Sequence, residues 1–190
     1  MFVKLINIDS LDLSYFDENL LKTIHKHIFE DVYTWAGEYR TVPIVKEEVI
    51  LPGYSLPYTH HNNISKELNK KLAELNSISW KNYNPSEIAY VFARKLALLW
   101  KVHPFRDGNT RTMLSFAYLY AQEHSFPFDM KVFTENLSRK YDENGKQINY
   151  NVRDKFVLAA LDDKDYPEVE HLANLFETAI KKEQENNKTL

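Results

Sequence analysis

The sequence contains no cysteine. That absence removes three chemistries at once: a disulfide framework, a thiolate zinc site and a cysteine nucleophile. Charge of one sign is lacking too, since 24 Lys and Arg stand against 27 Asp and Glu for a net charge of -3. No whole-chain field therefore draws it to nucleic acid or an anionic membrane, and partners have to be argued from local sites. Long apolar runs are missing as well. The most apolar internal stretch, IAYVFARKLALLW, is broken by Arg94 and Lys95, and the opening MFVKLINIDS is too short an apolar stretch for a signal peptide. These absences predict no membrane span, no nucleic-acid partner and a cytoplasmic location, with export as an effector left open.

What is present points to helices. Glycine occurs only four times, and apolar residues recur at spacings of three and four. At 190 residues with 44% hydrophobic content, one compact domain over residues 1–190 is expected. Leu21, Ile24, Ile28, Val32 and Trp35 predict a first helix running out near Gly37. Ile64, Leu68, Leu72 and Leu75 predict a second. Asn84 before Pro85 reads as an N-cap with proline in the first turn, opening a third helix from about 85 to 101. TRTMLSFAYLYAQEH continues as a buried helix. Asn144 and Gly145 punctuate a further helical stretch, two more helices follow near 149–161 and 167–185, and the tail KKEQENNKTL should fray. Between Arg40 and Tyr58, β-branched residues and turn formers predict a short β-hairpin and a loop.

The chemistry is concentrated between His103 and Arg111, where HPFRDGNTR brings together a base, a carboxylate, a turn and two cations. If the turn at Gly108 and Asn109 opens a helix, its free amides and positive dipole end would hold a phosphate. Arg111, one turn in, could grip the same anion with its planar fork. Asp107 is a candidate magnesium ligand, because that ion combines one or two carboxylates with phosphate oxygens and water. His103 could take a proton from a hydroxyl near neutral pH. An ordinary turn with solvated arginines is the competing reading of the residues alone.

HPFRDGNTR resembles the signature of the Fic (filamentation induced by cAMP) family, and IFEDVYTWAGEYRTV is similar to the stretch preceding that family's β-hairpin flap. The resemblance spans about residues 20–160. It implies an all-α fold, a Fic-type helical bundle with a short β-hairpin flap, and transfer of AMP from ATP to a Ser, Thr or Tyr hydroxyl of a target protein. It further implies His103 as general base, Asp107 as the magnesium ligand, Gly108 and Asn109 as an anion hole with Thr110 at its edge, and Arg111 on phosphate. Ile44, Val45 and Lys46 would be the flap residues that align the target backbone by strand addition.

Two positions depart from the signature. Thr110 stands where a third small residue, glycine, is usual, and Leu114 stands where a second arginine is usual. Phosphate transfer, as in the related Doc toxins, and a silent binding module therefore stay open beside AMP transfer. Ser14, Glu18 and Asn19 match the spacing of the family's inhibitory helix. They equally suit a helix start, with Ser14 or Asp17 as cap and Glu18 favouring the dipole. On the second reading, inhibition would fall to a separate antitoxin-type protein, another segment or nothing. His25 and His27 are two positions apart and face different sides of a helix, so His25 reads as a packed or solvent-edge residue. His60 and His61 read as loop residues, and Arg153 as either a nucleotide-site or a surface residue.

Overall fold

The structure, a computed structural model, describes residues 16–161 and 168–188; Ser14 lies outside them. Among the described residues the fold is all-α, with helices α1 (Glu18–Phe29), α2 (Ile64–Asn76), α3 (Pro85–Val102), α4 (Asn109–Glu123), α5 (Met130–Thr134), α6 (Val152–Ala159) and α7 (Glu170–Lys188). No helix among them is long and apolar enough to cross a membrane.

Helix α3 is the central element and packs against α2, α4, α6 and α7. Its start follows from local chemistry. The Asn84 side chain accepts from the Ser86 and Glu87 amides at 3.0 Å each, and Glu87 returns a bond to the Asn84 amide at 2.9 Å, so orphan donors are satisfied reciprocally. Further along, Phe92 is fully buried and meets the rings of Tyr120, Phe126 and Phe176 at 5.3, 5.3 and 5.6 Å. Burying such a side chain stabilises by about 1.5–3 kcal/mol, which makes this aromatic cluster the anchor of the bundle. Helix α1 is capped by Asp17, whose carboxylate accepts from the Asn19 and Leu20 amides.

Four expectations need correction. The first helix stops at Phe29 instead of running to Gly37. The chain turns back through residues 30–37, leaving Val32 56% exposed, and the Gly37 amide closes the return on His25 Nδ1 at 2.9 Å. Residues 41–58 form no paired strands: they run extended around turns at Glu48, Leu51 and Tyr54. Pro43, Pro52 and Pro57 each lack an amide donor, which starves a ladder of hydrogen bonds. The stretch before Asn144 is helical only over α5, and beyond it an antiparallel bridge joins Tyr141 to Gln147. The tail expected to fray continues helix α7 to Lys188.

Candidate functional site

Helix α3 delivers the chain to His103, its C-cap, in the left-handed region at φ 51°. A non-glycine residue held there signals that surrounding structure over-determines it. Here the determinant is Arg40, 3% exposed, which donates from Nε to the His103 carbonyl at 2.8 Å and from Nη1 to the Val42 carbonyl at 2.9 Å. Its Nη2 donates to the Thr59 carbonyl, so one buried guanidinium ties the end of α3 to both ends of the 41–58 loop.

Beyond His103 the chain makes a tight loop into α4. Asn109 closes it, donating from Nδ2 to the Phe105 carbonyl at 2.8 Å while Oδ1 accepts from the Phe105 amide at 3.0 Å. Phe105 stacks on His25 with ring centroids 3.9 Å apart. Gly108 is the N-cap of α4 at φ 77°, and a Cβ placed on it would lie 2.5 Å from Phe29 Cζ. Glycine is required there by backbone and by space. No side chain caps α4, so its first-turn amides and the positive end of its dipole lie beside the loop.

A cavity of about 300 Å³ opens at this helix end, and its lining includes Lys46, His103, Asp107, Gly108, Asn109, Thr110, Arg111, Leu137, Asn151 and Arg153. Two larger hollows, of about 440 and 510 Å³, lie beside Trp80 and between Val49 and Ile148, and neither gathers three cations as this one does. His103 is fully buried under the rings of Tyr58 at 4.3 Å and Trp100 at 5.0 Å. Both its ring nitrogens are buried without a hydrogen-bond partner. Burial, then the charges of Lys46 and Arg153, push its pKa well below the usual value, so the ring is neutral. Lys46 is lowered in turn by burial and by Arg153.

Asp107 is held from three sides. Oδ1 accepts the Gly108 amide at 2.7 Å, Oδ2 accepts the Tyr33 hydroxyl at 2.8 Å, and Arg111 Nη2 stands 3.7 Å away. Partial burial raises its pKa, but the Gly108 and Tyr33 hydrogen bonds with the charges of Arg111 and Lys46 outweigh it, and the carboxyl lies below its usual range. An ionised carboxylate whose side chain is 55% exposed fits magnesium, which draws its other ligands from phosphate and water. No group of three His, Asp or Glu that could hold a metal ion occurs among the described residues.

The family model described as Fic/DOC matches residues 15–121, more than half of the 190. The chain belongs to the Fic/DOC family. It is 32% identical over 114 residues to the protein adenylyltransferase VbhT of Bartonella schoenbuchensis, covering 60% of this chain and 23% of that one. To the probable protein adenylyltransferase y4lH of Sinorhizobium fredii it is 31% identical over 112 residues, covering 57% and 54%. The chain thus spans about a quarter to a half of these relatives. Among solved Fic structures, the N-terminal domain of Bep8 from Bartonella sp. 1-1C superposes with a TM-score of 0.68 at 22% identity, over 94% of this chain and 80% of that one. BepC from Bartonella tribocorum, with bound AMPPNP, gives 0.67 at 22% identity over 94% and 81%. At that identity the likeness establishes the Fic fold.

The structure brings His103, Asp107, Gly108, Asn109, Thr110 and Arg111 to one cavity, with Lys46 from the loop. Ile44 is partly buried and Val45 is 82% exposed. Thr110 Oγ1 accepts the Trp100 indole N–H at 3.0 Å, which ties its hydroxyl to the core. Glu18 accepts from Ser65 and Asn69 on α2, at 2.8 and 3.2 Å. Arg111 lies over Phe29 at the other end of α1, about 16 Å along the helix from Glu18. His25 is a packed residue: Nδ1 accepts from Gly37 and Nε2 faces the Asp107 carbonyl at 3.2 Å. The rings of His60 and His61 lie tilted against each other, 4.2 Å apart, and are not part of that cavity's lining. Sequence reasoning missed Arg40, Tyr33, Glu48 and Tyr58. Tyr33 and Arg40 lie within the stretch IFEDVYTWAGEYRTV, which was the one local signal for them; Glu48 and Tyr58 lie beyond it.

Proposed function

We propose that this chain is a protein adenylyltransferase that moves AMP from ATP to a Ser, Thr or Tyr hydroxyl of a target protein. The observation that carries the reading is a buried, neutral, unpartnered imidazole beside an uncapped helix N-terminus in a cavity with an ionised carboxylate and cations. The names of the relatives, protein adenylyltransferases, support AMP as the group transferred.

In this reading the first-turn amides of α4, at Asn109 and Thr110, and the Arg111 guanidinium hold the phosphates, with Gly108 leaving the backbone bare for their close approach. Asp107 holds magnesium, which when bound neutralises phosphate charge. Ile44, Val45 and Lys46 pair with the target backbone. Among the described residues that segment belongs to no ladder, and the Lys46 amide donates to the Ser55 hydroxyl at 3.2 Å, a bond that an incoming strand would replace. His103 takes the proton as the target oxygen bonds to the α-phosphorus, and the bond from that phosphorus to the bridging oxygen breaks, releasing pyrophosphate. Burial keeps the imidazole unprotonated near neutrality, and opening the loop above it would relieve that burial and return its basicity. The loop over His103 has to shift for a hydroxyl to arrive.

The test is incubation with magnesium and ATP labelled on the α or the γ phosphate, with cell lysate and with His103→Ala in parallel. Protein-bound α label that disappears in the variant supports the reading. Protein-bound γ label would replace it with phosphate transfer, and no label from either position would replace it with a silent module.

A further inference from the structure

Beside the phosphate end of the cavity, two segments far apart in sequence are joined by one ion pair. Glu48 lies in the 41–58 loop and is 2% exposed. Arg153 lies in the first turn of α6 and lines the same cavity as Asp107 and Arg111. Arg153 donates from Nε to Glu48 Oε2 at 3.2 Å and from Nη2 to Oε1 at 2.7 Å. Tyr58 donates its hydroxyl to the same Oε1. A guanidinium gripping two carboxylate oxygens with parallel N–H groups presents the geometry it would use on two phosphate oxygens.

The charge inventory of the cavity makes this pair more than a surface ornament. Leu114, where the family signature has an arginine, is 3% exposed in the hydrophobic core and contributes nothing to an anion site. Helix α4 therefore supplies one cation, Arg111, and the cavity's remaining positive charge comes from Lys46 and Arg153. A triphosphate carries more negative charge than one arginine and a helix end offset.

We propose that Arg153 is a phosphate-binding residue of the nucleotide site, and that Glu48 occupies its guanidinium fork until a nucleotide phosphate displaces it. This rests on the nucleotide reading given above and names a further residue for that site. It also couples two events. A carboxylate as buried as Glu48 is costly to leave without its cation, so losing Arg153 drives Glu48 toward solvent and the loop with it. Tyr58, which both bonds Glu48 and covers the His103 ring, shifts with that loop. Arrival of phosphate thereby uncovers the proton acceptor.

The experiment is calorimetric titration of the full chain, with magnesium, using the ATP analogue with an imido bridge between its β and γ phosphates, and adenosine as a phosphate-free control. Glu48→Gln removes the competing charge and should tighten analogue binding by about 10-fold. Arg153→Ala should weaken it by about 10- to 100-fold, with Arg153→Lys between the two. Adenosine should respond to none of these changes, and Glu48→Gln should give no gain in an Arg153→Ala background. A structural ion pair would lower affinity on either substitution, so a gain with Glu48→Gln separates the two roles even if Arg153→Ala folds poorly. Equal analogue affinity in wild type, Glu48→Gln and Arg153→Lys overturns the inference and leaves the nucleotide reading intact. No binding of the analogue by any folded variant overturns both.

Discussion

The two walls of the cavity are built on different principles. The turn from His103 to Arg111 is set by packing and short-range bonds: Phe105 stacks on His25, Gly108 sits against Phe29, and Asn109 closes the loop on Phe105. The 41–58 loop buries a single large apolar residue, Leu56, and depends on polar anchors, Arg40 at its base and the Arg153–Glu48–Tyr58 cluster at its tip. A wall made by packing responds to volume. A wall made by ion pairs responds to charge, and it is the wall that a ligand carrying its own charge can move.

His103 joins the two walls, so changing it should have the largest effect. Replacing it with alanine should lower transfer by about 10²- to 10⁴-fold, the range for loss of a general base, while nucleotide binding persists. Labelled transfer and calorimetry on the same preparation check both halves. Gly108→Ala strikes the packed wall alone. A Cβ driven into the Phe29 ring on a left-handed backbone should cost about 2–5 kcal/mol of stability, read by urea unfolding, and take nucleotide binding with it. An equally small change on the polar wall should leave the unfolding midpoint closer to wild type.

Acid should weaken the packed wall through His25 and the junction of the two walls through His103. Burial pushes His25 down to about 4 and His103 well below its usual value, so the folded chain refuses protons that the unfolded chain accepts below about pH 6.5. Stability is then complete above that pH and falls by about 1.4 kcal/mol per unit for His25 as pH drops toward about 4, with His103 adding a loss of the same sign. Unfolding in urea at pH 7.5 and 5.5 measures the slope, and His25→Gln should remove its own share. The smallest effect belongs outside both walls: Asn84→Ala should cost about 1 kcal/mol by removing the cap of α3, with no change in nucleotide affinity.

The packed wall was also the legible one. Its residues are contiguous, so HPFRDGNTR could be read as one turn into a helix, and α2, α3 and α4 followed from apolar spacing and the Asn84–Pro85 start. The polar wall draws Glu48 and Arg153 together over 105 positions, and no local pattern encodes such a pairing. The misread end of α1 has the same origin. Val32 and Trp35 fit a helical spacing, but a tertiary demand won: the chain turns back so that Tyr33 reaches Asp107 and Gly37 reaches His25. The hairpin misreading came from weighing β-branched residues above the three prolines among them.

Thr110 ties the phosphate loop to the aromatic core. Its hydroxyl takes the indole N–H of Trp100, a side chain with no exposed surface. Restoring the family's usual glycine would therefore strand a buried donor, at about 1–3 kcal/mol. A serine at 110 would keep the acceptor, and exchanging Trp100 for phenylalanine would remove the donor that it serves.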